Sequence, residues 1–305
     1  MMLEFDFNQI RTVEFGLGRD DGDGRMFCLI AVDGDVQDAL REMAEATWVA
    51  LQELTNNPPK YEPSEKHAGI EYLHLPLADE LAASMRELQE ANNLPFDSMA
   101  LNNPEIIFCY FARFTDNQGR RLTALRRATQ FKGILKNRLI RFVTDALKIV
   151  EDNIFKLDTD FDLLIDAQNV HILRPSGFEF AGQLQKAIMA AVPNNVAAIK
   201  TDLNFVNFDV IETYASQHPR AARYLASIRS QGEAQNIDRG RLIQLCTHTG
   251  VETEEANGQI TVAEKHVMGF LEVLDRRRYE IELVADAPEQ YRAASRSKLD
   301  AEAAP

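Results

Sequence analysis

Apolar and polar positions along the first hundred residues follow two different periods. Thr12–Leu17 and Met26–Val32 are strand-like runs on either side of the polar, glycine-rich stretch Gly18–Gly24, which is the pattern of a β-hairpin. The period then lengthens: between Asp35 and Leu54, Val36, Leu40, Met43, Ala44, Thr47, Leu51 and Leu54 recur at helical spacing. Asp33 or Asp35 is placed to cap that helix, and Pro58-Pro59 follows its end. Ile70–Leu75 alternates as a strand, and Ala78–Ala91 reads as a second helix. The polar, proline-bounded run from Asn92 to Pro104 then serves as a connector.

Beyond it the β signal returns. Ile106–Thr115 is rich in Ile, Phe and Tyr, Asp116–Gly119 is a turn, and Arg121–Thr129 continues as the antiparallel partner. Arg138–Val143, Phe161–Asp166 and Val170–Leu173 read as further strands, with Asp166–Asn169 turning between the last two. From Gly177 the spacing is helical, and after Pro193 most segments are helical up to a late strand at Tyr279–Val284. The expected class is α+β: an N-terminal αβ subdomain, then an antiparallel β-meander followed by a helical C-terminal part. The expected division is an acidic αβ domain at 1–104, an α+β domain at 105–300 and a tail at 301–305.

Charge changes this picture. The chain of 305 residues carries a net charge of −14, which taken alone argues against a nucleic-acid partner. The distribution is uneven. Residues 1–104 hold 7 Lys and Arg against 20 Asp and Glu, whereas residues 105–150 hold 10 against 3. The middle is therefore basic, and from Arg113 to Arg141 its cations are Arg113, Arg120, Arg121, Arg126, Arg127, Lys132, Lys136, Arg138 and Arg141. Phosphate contacts act over a Debye length of about 8 Å, so a local block can bind DNA on a chain of opposite net charge. Arginine predominates, which suits bidentate phosphate contacts. The competing reading pairs these arginines with acids across an internal or subunit interface. Residues two apart share a face of a strand, so Arg126 and Arg127 are expected on opposite faces.

Catalytic signals are thin. Gly16-Leu17-Gly18 lacks the third glycine and does not open a helix, and there is no P-loop or nucleophile elbow. Asp20–Gly24 lacks calcium-loop spacing, and Cys246 with His248 has no second pair for zinc. Asp158, Asp160, Asp162 and Asp166 invite a metal-dependent nuclease reading, but no Glu-x-Lys follows on the next strand. No metal site and no cofactor is expected. A second basic group (Arg220, Arg223, Arg229, Arg239, Arg241 and Arg276–Arg278) sits among acids and reads as ordinary surface pairing. Cys28 and Cys109 lie inside apolar runs and read as core thiols. With no signal-peptide pattern and no run approaching the roughly 18 apolar residues of a spanning helix, the expected location is the cytoplasm.

Two stretches carry a family resemblance. Phe161 to Phe180 is a hairpin running into a helix through Phe178-Glu179-Phe180, and Phe270 to Glu280 is a helix-to-strand end containing Asp275-Arg276-Arg277-Arg278. Together they resemble the Kiwa anti-phage KwaB-like family over roughly residues 105–300. The resemblance implies a non-enzymatic, cytoplasmic effector of bacterial phage defence that binds double-stranded DNA and self-associates as a homodimer or higher homo-oligomer. It would interfere with phage DNA replication and transcription. It also implies a small multi-pass membrane protein partner, KwaA-like, which would supply any attachment to the inner face of the cell membrane. The alternatives are a metal-dependent nuclease using the acids around Asp162, or an assembly subunit that does not bind DNA.

Overall fold

The computed structural model describes residues 3, 5–22, 24–97, 101, 106–128, 140–143, 146–149, 157–285 and 287–294. The fold is α+β and divides into two compact units. Unit 1 comprises residues 1–61 and 67–183, and unit 2 comprises 62–66 and 184–305.

Unit 1 is built on a seven-stranded antiparallel sheet in the order β2-β1-β4-β5-β8-β9-β3. Its strands are β1 (Ile10–Asp20), β2 (Arg25–Ile30), β3 (Leu73–Pro76), β4 (Ile107–Asp116), β5 (Arg121–Arg127), β8 (Leu163–Ile165) and β9 (Asn169–Ile172). This layout corrects the expected boundary at residue 104. β1 pairs with β4 and β3 pairs with β9, so the first hundred residues supply strands to the same sheet as the following eighty. Local polarity marked the Asn92–Pro104 connector, but cross-strand pairing decides what folds together. A separate hairpin, β6 (Ile140–Val143) with β7 (Ala146–Ile149), lies in the basic middle segment.

Helix α1 (Gly34–Leu54) is capped by Asp33, whose carboxylate accepts the Val36 amide. Its periodic residues Leu40, Met43, Ala44 and Leu51 are buried with Leu17, Tyr110, Phe114, Leu122 and Phe161 as one core. β4 is buried along nearly its whole length, as expected for a central strand. Gly16 and Gly18 in β1 are required by this packing. A Cβ at Gly16 would sit 2.2 Å from the Phe111 ring, and one at Gly18 would sit 2.5 Å from the Cys109 sulfur. All three cysteines are buried, and burial pushes the Cys109 and Cys246 thiols up, Cys246 to about 12. Short helices α2 (Ala83–Glu90) and α3 (Pro175–Ala181) complete the unit.

Unit 2 is mainly helical: α4 (Leu184–Ala190), α5 (Val192–Asp202), α6 (Asp209–Ala215), α7 (Pro219–Gln231), α8 (Arg239–His248) and α9 (Val267–Leu274). It also carries two β-hairpins, β10 (Thr253–Ala256) with β11 (Gln259–Val262) and β12 (Arg278–Val284) with β13 (Ala287–Arg292).

Candidate functional site

The basic block was the leading candidate, and the structure splits it. Along β5, Leu122 and Ala124 join the α1 core. Arg126 follows on the same side, and Arg127 turns to the other, as strand alternation requires. Each described arginine of β4, β5 and their turn is committed to a partner within unit 1. Arg113 is only 2% exposed, donates to the Leu88 carbonyl at 2.8 Å and lies 3.5 Å from Glu14. Burial, with Arg121 nearby, pulls it below its ordinary pKa. Arg120 pairs with Asp116 at 2.6 Å across the turn. Arg121 donates to the Gln89 and Ala91 carbonyls and to Asn92, tying β5 to the end of α2. Arg127 lies over the Phe180 ring, 3.9 Å from its centroid.

Arg126 is the centre of an ion network. It reaches Asp162 at 2.8 Å, Asp158 at 3.2 Å and Asp160 at 3.3 Å, while Arg174 pairs with Asp160 at 2.8 Å. Burial works against the Arg126 charge, but the carboxylates outweigh it and hold the guanidinium above its ordinary pKa. Asp162 is the hub. Its side chain accepts both Arg126 and the Arg127 amide, and its carbonyl accepts the Leu173 and Arg174 amides. Burial pushes its carboxyl up, against the pull of the Arg127 amide and of Arg126 and Arg174. A Cβ at Gly177 would lie 2.2 Å from an Asp162 oxygen, so α3 can approach this carboxylate only through a glycine. Of the acids behind the nuclease reading, Asp158, Asp160 and Asp162 are thus held by arginine, and Asp166 by His171. Among the described residues no group of three His, Cys, Asp or Glu side chains is arranged to hold a metal ion.

The expectation of one open cationic surface is therefore corrected for Arg113, Arg120, Arg121, Arg126 and Arg127. β4 and β5 are central strands, and their neighbours supply carboxylates and carbonyls to Arg113, Arg120, Arg121 and Arg126 and an aromatic ring to Arg127. Lys132, Lys136 and Arg138 lie outside the described residues. Arg141 is on β6, of which only the backbone is described.

Sequence reading missed a buried polar chain in the same unit. The Asp166 carboxylate meets His171 Nε2 at 3.0 Å, and His171 Nδ1 meets the Tyr72 hydroxyl at 2.9 Å, with Trp48 edge-on to the imidazole. Asp166 also accepts the Gln168 and Asn169 amides, and against burial these bonds and His171 hold it below the usual carboxylate range. Burial pushes Tyr72 up to about 12. Asp166 also lines an open recess of about 260 Å³, together with Gln89, Arg120, Arg121, Gln168 and Asn169. No local signal marks this chain, because Tyr72 and His171 meet through β3–β9 pairing across a hundred residues.

In unit 2 the second basic group is surface pairing only in part: Arg239 with Glu255 and Arg276 with Glu233 are exposed pairs, whereas Arg277 and Arg278 meet buried acids. Arg277 and Asp275 are both fully buried and joined at 2.6 Å, and Arg277 also reaches Glu65 at 2.7 Å. Glu272, 1% exposed, is shared by Arg278 at 2.9 Å, Arg220 at 3.8 Å and Arg292. No described helix is long and apolar enough to cross a membrane.

A family model described as Kiwa protein KwaB-like matches residues 105–283, from β4 into β12. No curated protein and no solved structure matches the chain.

Proposed function

The chain belongs to the Kiwa protein KwaB-like family, and from that membership we propose that it is a DNA-binding effector of Kiwa-type anti-phage defence. It would bind duplex DNA through backbone phosphates and so obstruct phage replication and transcription. It would act in the cytoplasm as a homo-oligomer, with a small KwaA-like membrane protein as partner and without a cofactor or catalytic step.

The observation that carries the DNA-binding part is the charge pattern left once the internal arginines are set aside. Residues 129–144 contain Lys132, Lys136, Arg138 and Arg141 and no acid, in a chain of net charge −14. Four cations without an intervening acid suit non-specific backbone contact, which needs positive charge rather than base-edge readout. Self-association is favoured by a separate feature. Tyr279 and Ile281 on β12, with Tyr291 opposite Tyr279 on β13, are exposed apolar side chains on a two-stranded hairpin, and such groups mark contact surfaces.

The test is fluorescence anisotropy on a mixed-sequence duplex, comparing wild type with a variant carrying Lys132→Gln, Lys136→Gln, Arg138→Gln and Arg141→Gln. Four lost contacts should flatten the slope of log affinity against log salt by about 3.6. An unchanged slope sinks the assignment to this segment.

A further inference from the structure

We infer that Arg220 and Arg292 of unit 2, held in place by the buried Glu272 carboxylate, form a binding site for phosphate oxygens. Glu272 at 1% exposure is the one carboxylate partner of three guanidiniums among the described residues. Arg278 is the inner one: it donates to Glu272 at 2.9 Å and to the Thr249 carbonyl at 2.8 Å. Its guanidinium passes 3.1 Å from where a Cβ on Gly269 would lie, so the helix makes room for it with a glycine. Arg292 and Arg220 approach the same Glu272 oxygen from outside, with side chains 53% and 62% exposed. Arg220 is further held by the Tyr224 hydroxyl at 3.2 Å.

One negative charge cannot balance three positive ones. Arg278 and Arg292 are also direct cross-strand partners in the β12–β13 register, where like charges repel. The arrangement leaves two exposed, preorientated guanidiniums with surplus positive charge at one point. A phosphate group, with several acceptor oxygens and bidentate geometry, fits it better than a single carboxylate does. The site adds a point of phosphate contact to the DNA-binding reading, and rests on that reading only for a phosphodiester backbone as the source. A free phosphate or nucleotide would supply the same chemistry.

The experiment uses the full chain with Arg220→Gln and Arg292→Gln together. A control carries Lys186→Gln and Lys200→Gln, which removes two exposed charges elsewhere on unit 2. All three proteins are first checked for equal melting temperatures. Duplex binding is followed by anisotropy across a salt series, and inorganic phosphate and ATP are titrated by calorimetry. The expected result is a duplex affinity lowered about tenfold or more, and a salt slope reduced by about 1.8, in the arginine variant but not the control. If the wild type binds phosphate or ATP and the arginine variant does not, the site stands with a free phosphate as ligand. If wild type binds no duplex, the DNA-binding reading fails while the phosphate arm still tests this site. If every affinity is the same in arginine variant and wild type, or if the control loses as much, the proposal is overturned.

Discussion

Replacing Arg126 with methionine should destabilise unit 1 without any nucleic acid in the assay. The guanidinium is 18% exposed and faces three carboxylates, of which Asp162 is 4% exposed while Asp158 and Asp160 are 20% and 22% exposed. Removing one partner of a buried pair costs about 3–5 kcal/mol, because the remaining charge is stranded. Asp158 and Asp160 can recover water, and Asp162 keeps the Arg127 amide, so the lower end, about 3 kcal/mol, is expected. For a unit of this size that is a fall in Tm of roughly 6–12 °C. Thermal and urea unfolding would measure it, and a double-mutant cycle with Asp162→Asn should return a coupling of about 1–3 kcal/mol. A loss below about 1 kcal/mol would refute the reasoning, because a solvated surface arginine usually costs no more than about 0.5 kcal/mol.

Other expectations follow from the same contacts. Gly177→Ala drives a methyl group against the Asp162 carboxylate and should cost about 1–3 kcal/mol in urea unfolding. Asp166 has its folded pKa held below the ordinary Asp value of about 3.9, so its contribution is present above that pH and is lost as pH falls through the folded value. The stability gap between wild type and Asp166→Asn should therefore be widest near pH 6 and shrink toward pH 3 in denaturant titrations. Arg277→Met takes the cation from the buried Asp275 carboxylate, which keeps the neutral donors Ser227 and Gln231, and should cost unit 2 about 3–5 kcal/mol by differential scanning calorimetry, part of it regained by adding Asp275→Asn.

Local chemistry was legible where it acts over a few residues. The β1–β2 hairpin, the Asp33 cap and the apolar face of α1 stand where the sequence pattern put them, although β1 runs on through Gly18 to Asp20 and so shortens the expected Gly18–Gly24 turn. The α3 to α4 stretch was readable as helical, but not its break at Gln183, a non-glycine residue with φ of 49°. β7, β10, β11 and β13 were not read, being short and polar or lying in charged sequence. Burial of charge was the main loss. A one-dimensional charge block does not show that Asp158–Asp162 returns to Arg126 thirty residues later, or that Arg277 folds back on Glu65. The same distance hid the Tyr72–His171–Asp166 chain. The alternation rule did place Arg126 and Arg127 on opposite faces, and it was the partners on each face that sequence could not name.

The central claim is that this chain grips duplex DNA by its phosphates, and the most direct measurement is the salt dependence of wild-type binding to a mixed-sequence duplex. With at least four phosphate contacts, affinity should fall about 100-fold or more between 50 and 200 mM salt, and duplexes of different sequence should bind alike. No binding at about 50 mM salt, or an affinity indifferent to salt, would contradict it.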